Sequence, residues 1–215
     1  MKSVIIRGPV LSSSGYGTHS RQLARWILSR KDVQPFFYLI QWGNTPWFLN
    51  DDAGGPIISK ITAAAAPCQD TADVSYQVQL PNEWDPKLAK FNVGVTAAVE
   101  TDRCDPKWVD ACNAMDMVVV PSTHILRTLQ ASGSLTTRTV GIPESFPDAV
   151  VDPMTLPFDP GLVTDFNFMV FGQLTGNTPQ NDRKNTFFTI KWLCEEFAGD
   201  PTVGIVIKTN SGRDT

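Results

Sequence analysis

Short apolar runs alternate with helical patterns along this chain of 215 residues, and this alternation constrains the fold more than any other feature. Continuous apolar runs of this length are typical of strands that are covered on both faces. Strands joined through helices by short connections form parallel sheets with right-handed crossovers. The sequence therefore predicts an α/β fold built on a Rossmann-like parallel sheet. The predicted strands of its first part are Ser3–Val10, Val33–Trp42, Val74–Leu80, Phe91–Val99, Met115–Val120 and Thr137–Ile142.

Several predicted helices have clear boundary signals. Asp105 followed by Pro106 is typical of an N-cap and a first helical residue. Ser122 is predicted to cap a further helix, which Gly133 ends. A shorter helix is predicted over Ile57–Ala66, where Pro67 ends the pattern.

Five prolines and little periodicity mark residues 143–165, which we interpret as an interdomain linker. We therefore predict a Rossmann-like domain at 1–142 and the beginning of a second, incomplete Rossmann-like unit at 166–215. The elements predicted for the second unit are a strand at Phe166–Leu174, a helix at Lys184–Ala198 and a strand at Val203–Lys208.

The last predicted helix carries many aromatic side chains, among them Phe187, Phe188 and Trp192. We predict that they belong to the core of the second unit and do not form a stacking platform. Because its remaining strands are missing, an open sheet edge there could promote self-association.

Composition excludes several classes of protein. Eighteen Lys and Arg against 22 Asp and Glu give a net charge of −4, the opposite of the balance usual in nucleic-acid-binding proteins. No run approaches the roughly 18 apolar residues of a membrane span, and the first apolar stretch is too short for a signal peptide. Four scattered cysteines without a CxxC pair predict reduced thiols in the cytoplasm and no metal site. These observations do not exclude peripheral contact with a membrane surface.

Gly15 and Gly17 lie between the first predicted strand and its helix, where backbone amides and the helix dipole favour an anion. The dinucleotide fingerprint needs a third glycine where this chain has Ser20, and no acidic residue ends the second predicted strand. We therefore predict no NAD or FAD cofactor. The patterns GxxxxGK[ST], Asp-x-Asp and GxSxG are also absent. The alternative is that both glycines only allow a sharp turn into the helix.

Four stretches carry a resemblance, through their order and spacing: Gly8–Ala24 around the glycine loop, Thr96–Asp102 with Trp108, Val118–Ser122, and Phe168–Gly172 with Arg183, Lys184 and Asn185. Together they resemble the start of a GT-B glycosyltransferase, closest to the retaining group 1 family that includes many bacterial hexosyl- and mannosyltransferases.

The resemblance implies two Rossmann-like domains and transfer of a sugar from a nucleotide-sugar donor to an acceptor hydroxyl. The donor is a substrate and no cofactor is required, while the acceptor is a glycan, a lipid-linked compound or a small molecule. Cations and backbone donors stabilise the charge on the leaving diphosphate. The donor and phosphate residues implied are Gly15, Gly17, Gly172, Arg183 and Lys184; Glu100 is the implied catalytic residue; and Tyr16, His19, Thr101 and Asp102 are implied to line the acceptor side of the cleft.

The chain departs from the family pattern at the implied donor site. Gly172 is followed by Gln173, where many relatives carry arginine, and Lys184 by Asn185, where glycine is common. The family's later donor segment, with its paired glutamates, is missing. We therefore expect this chain to be a fragment that is inactive alone. The alternative function is a non-catalytic α/β module that binds a small molecule or a partner through the Gly15–Gly17 loop.

Overall fold

The computed structural model describes residues 1–51, 56–144, 161–172, 178–182 and 184–209. The chain divides into two compact units, Met1–Asp148 and Ala149–Thr215. Most of the predicted linker, residues 145–160, lies outside the described residues, as does Arg183.

The first unit is built on a six-stranded parallel sheet with the strand order β2-β1-β3-β4-β5-β6. This confirms the predicted α/β class with a Rossmann-like sheet. The strands are β1 (Lys2–Gly8), β2 (Val33–Leu39), β3 (Ala72–Val78), β4 (Ala89–Val95), β5 (Met117–Val120) and β6 (Thr139–Gly141).

Within the described ranges, four α-helices lie between these strands: α1 (Gly15–Ser29), α2 (Ile58–Ala63), α3 (Pro106–Asn113) and α4 (Thr123–Ser132). The predicted caps are confirmed. The Asp105 carboxylate accepts a hydrogen bond from the amide of Lys107, and the Ser122 hydroxyl accepts one from Ile125. Gly133 follows the last turn of α4.

Several predicted strands are too long, and in the first unit those for β2 and β4 extend furthest past the observed ends. β2 ends at Leu39 and β4 at Val95, although their apolar runs continue. The side chains beyond these ends have other partners: the ring of Trp42 stacks on Tyr16, and the amide of Ala97 donates to the Tyr16 hydroxyl. Apolar periodicity cannot distinguish a strand from a loop that packs against a helix.

The two faces of the sheet are covered differently. Each connection from β3 to β6 adds the next strand on the same side of the preceding one, whereas the connection from β1 to β2 adds β2 on the other side. Because parallel crossovers are right-handed, α1 lies on the opposite face of the sheet from α3 and α4. Side-chain clusters agree with this. Tyr16 and Leu23 of α1 pack with apolar residues of β3 and β4, whereas Ile125 and Leu129 of α4 pack with Val118 and others.

A buried polar cluster ties β3 to the 3-10 turn that follows it, Pro81–Glu83. The indole of Trp84 donates to the carbonyl of Gln77 at 2.9 Å, and the Gln77 amide donates to the carbonyl of Asp85 at 2.7 Å. A Cβ on Gly94 would lie 2.6 Å from the Trp84 ring, so β4 needs glycine there. No sequence pattern predicts this contact, because it joins adjacent strands through a side chain.

The second unit contains two parallel strands, β7 (Phe166–Phe171) and β8 (Val203–Lys208), connected through helix α5 (Thr186–Glu196). The predicted core role of its aromatic residues is wrong: Phe187 is 42% exposed and Trp192 is 56% exposed. Two strands cover too little of the helix surface to bury aromatic side chains on several of its sides.

Candidate functional site

The first candidate site lies at the carboxyl end of β1. β1 lies between β2 and β3 in the sheet, so the connection from β1 leads to one neighbouring strand while β3 is the neighbour on the opposite side. This reversal of strand order is the position at which open α/β sheets bind ligands. Residues 9–14 form the loop that connects β1 with α1 at this point.

The first turn of α1 is organised by Ser14. Its hydroxyl accepts a hydrogen bond from the amide of Gly17 at 3.0 Å, and its carbonyl accepts one from the amide of Thr18 at 2.9 Å. The amides of Gly15 and Tyr16 precede this first intrahelical bond and donate no hydrogen bond to another group of the described residues. Because the first turn carries no acidic residue, the positive end of the helix dipole is not offset by a carboxylate there.

The two glycines of the loop have different surroundings. A Cβ on Gly17 would lie 2.0 Å from the carbonyl oxygen of Ser12, so the chain's own backbone occupies that space. A Cβ on Gly15 would meet no atom within 4 Å. Both glycines of the loop are implied phosphate residues. Gly15 faces open space, whereas Gly17 allows the loop to pack against the helix.

Arg21 supports the same loop from beneath. Its guanidinium donates to the carbonyls of Val10, at 3.0 Å, and Ser12, at 2.7 Å, and lies over the ring of Phe48. The residue is only 7% exposed and its partners are neutral, so burial lowers its pKa to about 10, with a smaller contribution from Arg25. Arg21 thus places a positive charge under the loop. We did not predict this residue, although a charge among the apolar positions of a helix is a signal that could have found it.

Tyr16 connects the loop with the carboxyl end of β4. Its hydroxyl lies 3.1 Å from Thr96 Oγ1 and accepts a hydrogen bond from the amide of Ala97 at 3.1 Å. Its ring stacks on Trp42 with 4.2 Å between the ring centroids. Burial raises the pKa of Tyr16. Tyr16, predicted as a cleft residue, therefore holds three segments of this edge together.

The segment after β2 closes over the loop. The amide of Ser13 donates to the carbonyl of Pro46 at 3.0 Å, and the Ser12 hydroxyl is hydrogen-bonded to Thr45. Near these contacts the indole nitrogen of Trp47 is buried and has no hydrogen-bond partner within the described part of the chain. The same holds for the side-chain oxygen of Gln79, which directly follows β3.

Glu100, Thr101 and Asp102 lie in the loop that follows β4, and all three are exposed. The carbonyl of Thr101 accepts a hydrogen bond from Thr128 of α4 at 3.1 Å, which fixes the loop to that helix. Glu100, the implied catalytic residue, is five residues beyond the end of β4. It belongs to the same carboxyl edge of the sheet as Tyr16.

His19 lies one turn beyond Tyr16 in α1. Its Nδ1 is 2.7 Å from the Glu144 carboxylate. This contact lowers the pKa of Glu144. Glu144 follows β6 and carried no signal in the sequence, because its partner is far away along the chain. His19 and Glu144 both line a groove of about 570 Å³ on the α1 face of the sheet.

In the second unit the beginning of α5 is occupied by a carboxylate of the protein itself. Asp182 is buried and accepts hydrogen bonds from the amides of Lys184, Thr186 and Phe187 at 3.2, 2.7 and 3.3 Å. Lys184 is exposed, and a Cβ on Gly172 would lie 2.5 Å from the Thr186 side chain. The backbone amides beside the implied phosphate residue Lys184 therefore already bind a carboxylate of the chain itself. We did not predict this role of Asp182.

Across the described ranges, no group of three His, Cys, Asp or Glu side chains could hold a metal ion. None of the helices among the described residues combines the length and the apolar character that crossing a membrane needs. No protein-family model, no curated protein sequence and no solved structure matches this chain.

Proposed function

We propose that this chain contributes the acceptor-side domain and the beginning of the donor domain of a nucleotide-sugar-dependent glycosyltransferase. The observation that carries the proposal is the open amino-terminal end of α1 at the reversal of strand order, with Gly15 facing open space. The four stretches that resemble GT-B glycosyltransferases, described above, give the same class of enzyme.

The chemistry of such a transfer fits this end of α1. Negative charge builds up on the leaving diphosphate, and oriented amides and a helix dipole stabilise an anion without having to reorganise. The amides of Gly15 and Tyr16 supply donors, and buried Arg21 adds a positive charge nearby. We therefore assign the diphosphate or the transferred sugar to this loop.

The implied acceptor residues lie at the same carboxyl edge. The hydroxyls of Tyr16 and buried Thr96 are hydrogen-bonded to each other there, and the exposed loop with Glu100, Thr101 and Asp102 follows Thr96. Hydroxyl and carboxylate groups are suitable partners for sugar hydroxyls, because each can accept a hydrogen bond. In this proposal Glu100 contacts the acceptor or the transferred sugar.

The second candidate function is a non-catalytic module that binds a small anion through the same loop. Asp182 favours it, because this carboxylate occupies the beginning of α5, where a donor phosphate is expected in the glycosyltransferase. The two functions share the Gly15 site and differ in whether the sugar moiety contributes to binding.

The experiment is calorimetry of the chain with UDP, GDP, UDP-glucose, GDP-mannose and inorganic phosphate, comparing Gly15→Asp with Gly15→Asn. Both side chains enter open space, but only aspartate adds a negative charge at the helix end. We expect Gly15→Asp to weaken binding of a nucleotide sugar at least tenfold and Gly15→Asn to weaken it far less.

The outcomes separate the two functions. Tighter binding of a nucleotide sugar than of its nucleotide supports the glycosyltransferase. Binding of phosphate and nucleotides alone supports the non-catalytic module. Binding that Gly15→Asp leaves unchanged, or no binding of any of the five compounds, contradicts the assignment of this loop.

A further inference from the structure

Among the described residues, a groove lies on the α1 face of the sheet over β3, β4 and β5. Along β4, alternate residues point to opposite faces. Gly94 lies under Trp84, on the side that α3 and α4 cover, whereas Val93 and Val95 line the groove. The floor of this groove is made by side chains of three neighbouring strands: Val74, Tyr76, Phe91, Val93, Val95, Met117 and Val119.

Two walls border this groove. His19, Gln22, Leu23 and Trp26 of α1 recur at the spacing of one helix face and form the first wall, and the residues that follow β6, from Ile142 to Glu144, form the second. The contact between His19 Nδ1 and the Glu144 carboxylate joins the two walls. The volume of about 570 Å³ lies within the range of small-molecule sites, roughly 300–1,000 Å³.

Three aromatic rings, those of Trp26, Tyr76 and Phe91, line the groove. Trp26 and Tyr76 meet edge to face, with their centroids 6.2 Å apart. Trp26 is 48% exposed and Phe91 is 43% exposed, although both residue types are usually covered. An aromatic ligand can pack against such rings in stacked or edge-to-face geometry.

The polar groups of the groove are concentrated in His19, Gln22 and Glu144. Because Nδ1 of His19 faces the Glu144 carboxylate, Nε2 of the neutral ring is the nitrogen that can accept a hydrogen bond. The His19 side chain makes no other hydrogen bond within the described part of the chain. The Glu144 charge disfavours anionic ligands such as carboxylic acids.

We propose that this groove binds a neutral aromatic compound that carries a hydroxyl group, with its rings between Trp26 and Phe91 and its hydroxyl donating to Nε2 of His19. The inference goes beyond the proposed glycosyl transfer and does not depend on it, since binding needs neither a nucleotide nor the Gly15 loop.

The test uses 2-naphthol as the probe and 2-methoxynaphthalene, which lacks the donor, as its matched analogue. Calorimetry on the whole chain is expected to give tighter binding of 2-naphthol by about 2- to 10-fold, the effect of one net hydrogen bond. His19→Phe should remove this preference and keep the binding of the analogue. His124→Phe, which changes an exposed histidine on α4, should leave both affinities unchanged.

A second variant tests the location. Met117→Trp fills the groove with an apolar side chain and should weaken both probes at least fivefold, while circular dichroism reports that the fold is retained. The proposal is overturned if neither probe binds, or if His124→Phe removes the preference for 2-naphthol as His19→Phe does. It is also overturned if Met117→Trp leaves both affinities unchanged. A concentration-dependent dimer that Met117→Trp disrupts, with no binding of either probe, would overturn it in favour of a second copy as the occupant.

Discussion

The carbonyl oxygen of Ser12 occupies the space in which a Cβ of Gly17 would lie, at a distance of 2.0 Å. The contact involves backbone on both sides, so no side-chain rotation can relieve it. The loop after β1 and the first turn of α1 therefore depend on each other, and Ser12 is also held by Arg21.

Gly17→Ala is expected to lower the free energy of unfolding by about 1–3 kcal/mol, because the new methyl group forces the loop away from α1. Gly15→Ala is the matched control, since its Cβ would meet no atom within 4 Å. That control should leave stability unchanged or raise it by up to about 1 kcal/mol. Urea unfolding curves measure both, and an equal effect of the two substitutions would contradict the packing described here.

Tyr16→Phe is expected to lower the free energy of unfolding by about 1–3 kcal/mol, because it leaves the amide of Ala97 without its acceptor and removes one of the two hydrogen bonds of the Thr96 hydroxyl. Tyr76→Phe is the control, because the Tyr76 hydroxyl makes no hydrogen bond within the described residues; it should change stability by less than about 0.5 kcal/mol. Thermal or urea unfolding distinguishes the two. The idea fails if both substitutions have the same small effect.

Asp73 gives stability a dependence on pH in the acid range. Hydrogen bonds from Lys90 and from the amide of Ser3 lower its pKa from an ordinary value of 3.8 to about 2. A lowered pKa in the folded state means that the stabilisation is fully present above the unfolded value and is lost as the pH falls through about 2.

The difference in unfolding free energy between the protein and Asp73→Asn should therefore be constant above about pH 5 and shrink between pH 4 and pH 2. Asp110→Asn is the control, because Asp110 has no recorded side-chain partner among the described residues. Urea unfolding at a series of pH values gives the profile. A difference that does not change with pH would show that the Asp73 contacts contribute no proton linkage.

The four cysteines should react at very different rates. Burial raises the pKa of Cys112 to about 12, and its side chain is fully buried, whereas Cys194 is exposed and Cys68 and Cys104 are intermediate. Because the thiolate is the reactive form, we expect Cys194 to react first with a disulfide reagent and Cys112 only on unfolding. Mass spectrometry of labelled peptides measures the order, and early labelling of Cys112 would contradict it.

Sequence reasoning was most accurate where the cause is local. The caps at Asp105 and Ser122 were predicted because a short polar side chain before a helix bonds amides two or three residues later. The strand at Val203–Lys208 was predicted at its observed bounds. The end of β4 was not, since residues beyond Val95 bond Tyr16, which lies some 80 residues earlier in the chain.

The candidate sites divide in the same way. The glycine loop was recognised because a tight turn into a helix needs particular residue types in sequence. The buried charge of Arg21, the contact of His19 with Glu144 and the carboxylate of Asp182 at α5 were not recognised, because each depends on which groups the folded chain brings together.

The order of apolar runs and caps by itself determined that this protein is an α/β protein with parallel strands, since both depend on contacts between near neighbours and on the handedness of the L-amino-acid chain. Only the tertiary structure decided where the sheet is bordered by a groove, which glycine of the loop faces open space and which helix end is already bonded to a carboxylate. Those features are distances between residues remote in sequence, and they exist only once the strands take their order in the sheet.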